Sequence, residues 1–137
     1  MPVAKFYVWG SEPNTDSVRE FLDRASDVYA NVLECPKERV RVIFIPCSPD
    51  MVAVEGSVPG AASVFFEFIV LQGRSLTQRQ QIAKAFCGLI EDVLGLELQR
   101  VRGRCIPVAP EDWCIGGEFA DSLRKTEIES RKNQLKR

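Results

Sequence analysis

Histidine is the usual first sign of acid–base or metal chemistry, and this chain of 137 residues has none. That removes Ser–His and Cys–His nucleophilic pairs, imidazole metal ligands and the commonest general base near neutral pH. Any proton transfer must therefore use another group. Five cysteines are present, at 35, 47, 87, 105 and 114. Their number is odd and no C-x-x-C occurs, which indicates reduced thiols rather than a disulfide framework or a zinc ribbon. Arginine is the residue that recurs in a pattern. RVRVIFIP at 39–46 returns as RVRGRCIP at 100–107, and both copies continue as I-P-x-x-P-acid. An echo of that length points to an internal repeat. Its guanidinium groups stay charged and match a planar carboxylate with a two-pronged fork.

The elements that must position these arginines also repeat. Ala4–Trp9 is a short apolar run with β-branched and aromatic residues and reads as a strand. SEPNTDS follows as a turn and cap. From Val18 to Leu33, apolar residues recur every three or four positions, which predicts an amphipathic helix. Ser17 and Glu20 have capping-box spacing, and Cys35-Pro36 stops the helix. Val40–Ile45 is the next strand. The second half runs in the same order: a strand over Val64–Leu71, a helix carrying the stripe Ile82 to Leu94, and a strand over Val101–Ile106. Thr77 and Gln80 have capping-box spacing, and Gly95 suits the C-terminal cap. The expected fold is α/β (α+β in some schemes). Two tandem β-α-β units form one four-stranded sheet with both helices on one face.

The chain reads as a single domain over 1–137, made of pseudo-repeats at about 2–50 and 64–120. The linker covers 50–63, Trp113–Phe119 forms a short hairpin, and 121–137 is a polar tail or solvated helix. Strands apolar at nearly every position predict burial on both faces, so self-association must cover the face the helices leave open. A net charge of −1 gives no reason to expect nucleic acid or an anionic membrane. No apolar run approaches the roughly 18–20 residues of a membrane span. The first residues lack the pattern of a signal peptide, so the expected location is cytoplasmic.

Two β-α-β units, a proline directly after Met1 and the sequence IGGE at 115–118 resemble the tautomerase superfamily, in the form where two 4-oxalocrotonate-tautomerase-like units are fused. LQGRSLTQRQ at 71–80 resembles the family's strand exit, QRVRGRCI at 99–106 its second arginine segment, and EDWCIGGEFA at 111–120 its C-terminal hairpin. The resemblance implies that removal of Met1 frees the secondary amine of Pro2, which acts as the catalytic base. It pairs that base with Arg74 and assigns substrate binding to Arg41, Arg102 and Arg104. Trp113 becomes a hydrophobic wall that keeps the amine neutral. Arg41 and Arg102 both match the family's second arginine position, and which of them serves the pocket stays open. Alternation along the strand puts Arg104 on the face of Arg102, and Arg39 on that of Arg41. The counterparts of Pro2, Arg74 and Trp113 in the opposite half are Val64, Glu12 and Val52. One proline site per chain is therefore expected, with parts that two chains can share. The implied partners are a small carboxylate substrate and two further copies in a homotrimer. No cofactor and no metal are implied.

The family holds tautomerases, 3-chloroacrylic acid dehalogenases and malonate semialdehyde decarboxylases. Tyr29 stands where the cis-specific dehalogenases carry a histidine, and Trp113 where the dehalogenases carry a carboxylate. Glu38 matches the decarboxylase aspartate only across a one-residue gap. The expected reaction is therefore 1,3-keto–enol proton transfer on a small 2-oxo acid. The alternatives are a decarboxylase or a hydratase/dehalogenase of a three-carbon acid, a non-catalytic trimeric binding or structural protein if Met1 is retained, and a small-molecule sensor or carrier.

Overall fold

The computed structural model describes residues 2–135; Met1, Lys136 and Arg137 lie outside the described residues. The first unit is β1 (Val3–Trp9), α1 (Thr15–Leu33) and β2 (Arg41–Cys47). The second is β3 (Ser63–Leu71), α2 (Leu76–Leu94) and β4 (Arg102–Val108). They join in one four-stranded sheet of order β2-β1-β3-β4. The strands within each unit are parallel, as a helical crossover requires, and the central β1–β3 contact is antiparallel. Val3 lies opposite Arg41 and Phe65 opposite Arg102, so the arginine echo is a structural repeat.

Alternate strand residues build the core. Ala4, Phe6 and Val8 of β1 and Val64, Phe66, Phe68 and Val70 of β3 are buried against Phe21, Ala25 and Tyr29 of α1 and Ile82, Phe86 and Ile90 of α2. Phe86 lies edge-on to Phe6, Phe66 and Phe68, with centroids 5.0–5.8 Å apart, an arrangement that the ring quadrupoles favour. Gly103 is part of this packing: a Cβ there would stand 2.2 Å from the Phe66 ring. The residues of the opposite alternation, among them Tyr7, Phe65 and Ile69, are only half-buried, and Ile43 is 43% exposed.

Both helix starts differ from the expected caps. Asn14, not Ser17, caps α1, accepting from the Ser17 amide at 2.8 Å. Ser75 and Gln78 form the capping box of α2, two residues before Thr77 and Gln80. Gly95 does close α2 in the left-handed region, at φ 67. Pro110–Asp112 form a single 3-10 turn after β4. The hairpin β5 (Cys114–Ile115) and β6 (Glu118–Phe119) follows, turning through Gly116 and Gly117 at φ 60 and 93, where a side chain would be strained. The stretch 121–135, read as a polar tail or solvated helix, is helical, and it is docked through Ile128 instead of being solvated all round. It forms α3 (Ala120–Leu123) and α4 (Lys125–Leu135), and Ile128 is 8% exposed.

Candidate active site

Pro2 is buried at the entry to β1, and its carbonyl accepts from the Arg41 amide at 2.9 Å. Beside it, β1 and β3 end their antiparallel ladder. There the buried Tyr29 hydroxyl donates toward the carbonyls of Ile69 and Val3, the latter at 3.4 Å. Burial pushes the Tyr29 hydroxyl well above its ordinary range. It is therefore a neutral donor that ties the two strands together, and not an acid.

Arg74 reaches Pro2 from the other half of the chain. β3 ends, Gly73 turns at φ 106, and the capping box of α2 fixes the exit. The C-terminus of α1 has carbonyls without helical partners. Gln78 Nε2 donates to the Val32 carbonyl at 3.0 Å, and Arg74 Nη1 to that of Leu33 at 2.7 Å. A cation there also complements the helix dipole. Burial first, and neighbouring Arg131 second, pull the Arg74 guanidinium down to about 10. It stays charged at neutral pH and holds a fixed orientation.

Pro2, Arg74, Leu33 and the end of β3 (Val70 and Leu71) line one cavity of about 30 Å³, together with Arg39, Arg124 and Glu127. This has room for little more than a water molecule. Its roof comes from the C-terminal segment. Arg39 donates to the Glu127 carboxylate through both amino groups, at 3.0 and 3.0 Å. Hydrogen bonding to Arg39 holds the Glu127 carboxyl below the usual carboxylate range, and the same bonds raise Arg39. Burial pushes the adjacent Cys35 thiol up, only partly offset by Arg74 and Arg39, so this thiol is not a ready nucleophile.

The remaining sequence-derived residues do not line this cavity. Arg41 is exposed on edge strand β2, its Nη1 bound to the carbonyls of Glu38 and Val40 at 2.8 and 3.1 Å. Arg102 is its counterpart on the other edge strand, bound to the carbonyls of Gln99 and Val101 at 2.9 and 2.9 Å. It pairs with Phe65 at the start of β3, whereas Pro2 lies at the end of that strand. Five residues at ~3.3 Å each separate the two positions by roughly 17 Å. Arg104 is exposed opposite Glu67. Trp113 follows β4 at the Pro2 end of the sheet, and its indole Nε1 is buried with no hydrogen-bond partner among the described residues. Glu38 is exposed. Sequence reasoning missed Arg39 and Glu127 as parts of the site. Strand alternation assigns Arg39 to the face of Arg41, but the 3-10 turn Lys37–Arg39 breaks that alternation and turns Arg39 toward Pro2. Among the described residues no cluster of three or more His, Cys, Asp or Glu side chains could hold a metal, and no helix is long and apolar enough to cross a membrane.

Neither a family model nor a curated protein matches the sequence. Solved structures match by fold. A native fused 4-OT has a TM-score of 0.81 at 21% identity, covering 89% of this chain and 98% of its own. The protein Pt0534, inactivated by 2-oxo-3-pentynoate, also scores 0.81, at 16% identity and with the same coverage. Macrophage migration inhibitory factor from Toxoplasma gondii scores 0.73 at 18% identity, covering 85% of this chain and 98% of its own. Other fused 4-OT structures of similar score are trimers, both symmetric and asymmetric. These likenesses concern the fold: the chain folds as the fused 4-OT structures do, two β-α-β units in one sheet.

Proposed function

We propose that the protein is a tautomerase that moves a proton between the oxygen and carbon of a small 2-oxo (enol) acid, with the secondary amine of Pro2 as base once Met1 is removed. The observation that carries this reading is the meeting of a buried Pro2 and a fixed, charged Arg74 in one cavity, in a chain without histidine. Burial and a nearby guanidinium both disfavour an ammonium, so they lower the amine's pKa from its ordinary 7.7–8.0 or so. The neutral amine takes the enol hydroxyl proton, the electron pair closes to the ketone, and the resulting ammonium returns the proton to carbon. Arg74 binds the carboxylate or the developing oxyanion. The water-adding alternatives need a carboxylate able to activate water. Glu127 is the carboxylate lining the cavity, and Arg39 engages both of its oxygens.

The roof has a consequence for turnover. A cavity of about 30 Å³ is too small for a three-carbon acid, so turnover requires it to widen, and the opening we propose is the parting of Glu127 from Arg39. The chain is proposed to work as a homotrimer in the cytoplasm. There the exposed Arg41 and Arg102 can serve a neighbouring chain's proline site, which Arg102 cannot do within its own chain. The test is intact mass before and after treatment with 2-oxo-3-pentynoate. The expected result is a chain lighter by one methionine residue, and a single adduct on Pro2 that abolishes ketonisation of an enolpyruvate. Retained Met1 in protein from the native host, or an adduct elsewhere with Pro2 untouched, refutes the proline-base mechanism and favours the binding-protein alternative.

A further inference from the structure

At the opposite end of the sheet, the second half holds a counterpart of the proline cavity in which the chemistry has been replaced. Register places Val64 before the Phe65–Arg102 pair as Pro2 stands before the Val3–Arg41 pair. Val64 is fully buried and has no amine to act as base. The cavity beside it measures about 390 Å³, within the range of small-molecule sites, where its counterpart measures about 30 Å³. Trp9, Val52, Val54 and Phe65 supply apolar walls, and Arg100 and Arg102 lie along it.

Arg100 is less occupied here than its counterpart Arg39 is beside Pro2. Arg100 stands at the repeat position of Arg39, but it meets Glu55 through Nε alone, at 3.1 Å. The Glu55 side chain is 71% exposed, so solvent screens the pair and an incoming anion can displace it. Both Arg100 amino groups make no other hydrogen bond among the described residues. Arg102 spends Nη1 on two carbonyls, which fixes its guanidinium while leaving Nη2 and Nε. Two cations at one edge of an apolar, roomy cavity suit one negative charge on a hydrophobic body. We propose that this cavity binds, without turnover, a small monocarboxylate with an aromatic or branched apolar group. The proposal does not use the proline amine, and none of these residues lines the Pro2 cavity of its own chain.

Trp9 is 8% exposed and lines the site, and the chain has two tryptophans. In a Trp113→Phe, Arg74→Ala protein, Trp9 is therefore the sole indole and the proline cavity has lost its fixed cation. Titration with phenylacetate should change the emission saturably, with one equivalent per chain. Arg100→Gln should weaken binding about tenfold, and Val54→Phe, which fills the cavity, should abolish it. The neutral phenylacetamide should not compete. Absence of a saturable change, equal binding of phenylacetamide, or undiminished affinity in Arg100→Gln overturns the proposal. Since phenylacetamide is tested on the same parent protein, the proposal stays refutable if either further variant fails to fold.

Discussion

Glu127→Gln is the sharpest perturbation of the proposed catalytic site. It removes the charge that Arg39 holds and leaves a side chain of nearly the same shape. The pair is bidentate at 3.0 and 3.0 Å, but the two side chains are 24% and 45% exposed. Solvent screening at that exposure limits the pair to about 1 kcal/mol. A substrate that must displace Glu127 pays this amount on binding, so the variant should bind about fivefold more tightly. Steady-state ketonisation of an enolpyruvate should show KM falling by that factor with kcat unchanged, since the amine and Arg74 are untouched. The pH dependence has a definite sign. The Glu127 carboxyl is depressed by its hydrogen bonds to Arg39, so the contribution of the pair is complete above the unfolded value of about 4.3 and is lost as pH falls through the folded value. After correction for intrinsic rates, amide protection of α4 should fall on acidification below about pH 4.3 in the parent but not in Glu127→Gln. A raised KM in the variant would refute the reasoning, because it would make α4 part of the substrate's binding surface instead of its competitor.

Arg74→Ala removes a fixed cation and leaves the Leu33 carbonyl at the end of α1 without its donor. Loss of kcat/KM by roughly a hundredfold, about 3 kcal/mol, should accompany a small drop in denaturant midpoint. Arg74→Lys should restore little activity, since the fork is gone. Tyr29→Phe deletes the hydroxyl that ties Val3 to Ile69; unfolding free energy should fall by about 1–2 kcal/mol with catalysis retained, whereas a Tyr29 acting as acid would give an inactive, stable protein. Gly103→Ala drives a methyl into the Phe66 ring, which Phe6, Phe68 and Phe86 hold in place. Denaturant titration should show a loss of about 1–3 kcal/mol.

Much of the fold was legible because its causes are local. The apolar stripes of α1 and α2, the glycine after α2 and the repeated strand motif depend on residues within a few positions of one another, and the structure has these elements in that order. The caps show where local information becomes degenerate. SEPNTDS and RSLTQ each offer several side chains able to cap. Asn14 and Ser75 take the role, which begins each helix earlier than the capping-box spacing implied. Arg39 was misplaced for a related reason: period-two alternation holds only along an extended strand, and a single 3-10 turn precedes β2.

The sequence alone determined the two β-α-β units, their pairing into one sheet and the echoed arginines, and its resemblance to the tautomerase superfamily singled out Pro2 and Arg74 as residues to follow. Only the tertiary structure decided which of these groups share a cavity. Arg74 reaches the end of α1 across 41 positions of sequence, and Arg39 meets Glu127 across 88. No periodicity encodes contacts at such separations. Ile128, an isolated apolar residue in a polar tail, docks α4 only because the folded halves leave a surface for it. Secondary structure follows from the spacing of neighbours, whereas a narrow cavity beside Pro2 and a roomier one beside Val64 follow from which distant segments packing brings to each end of the sheet.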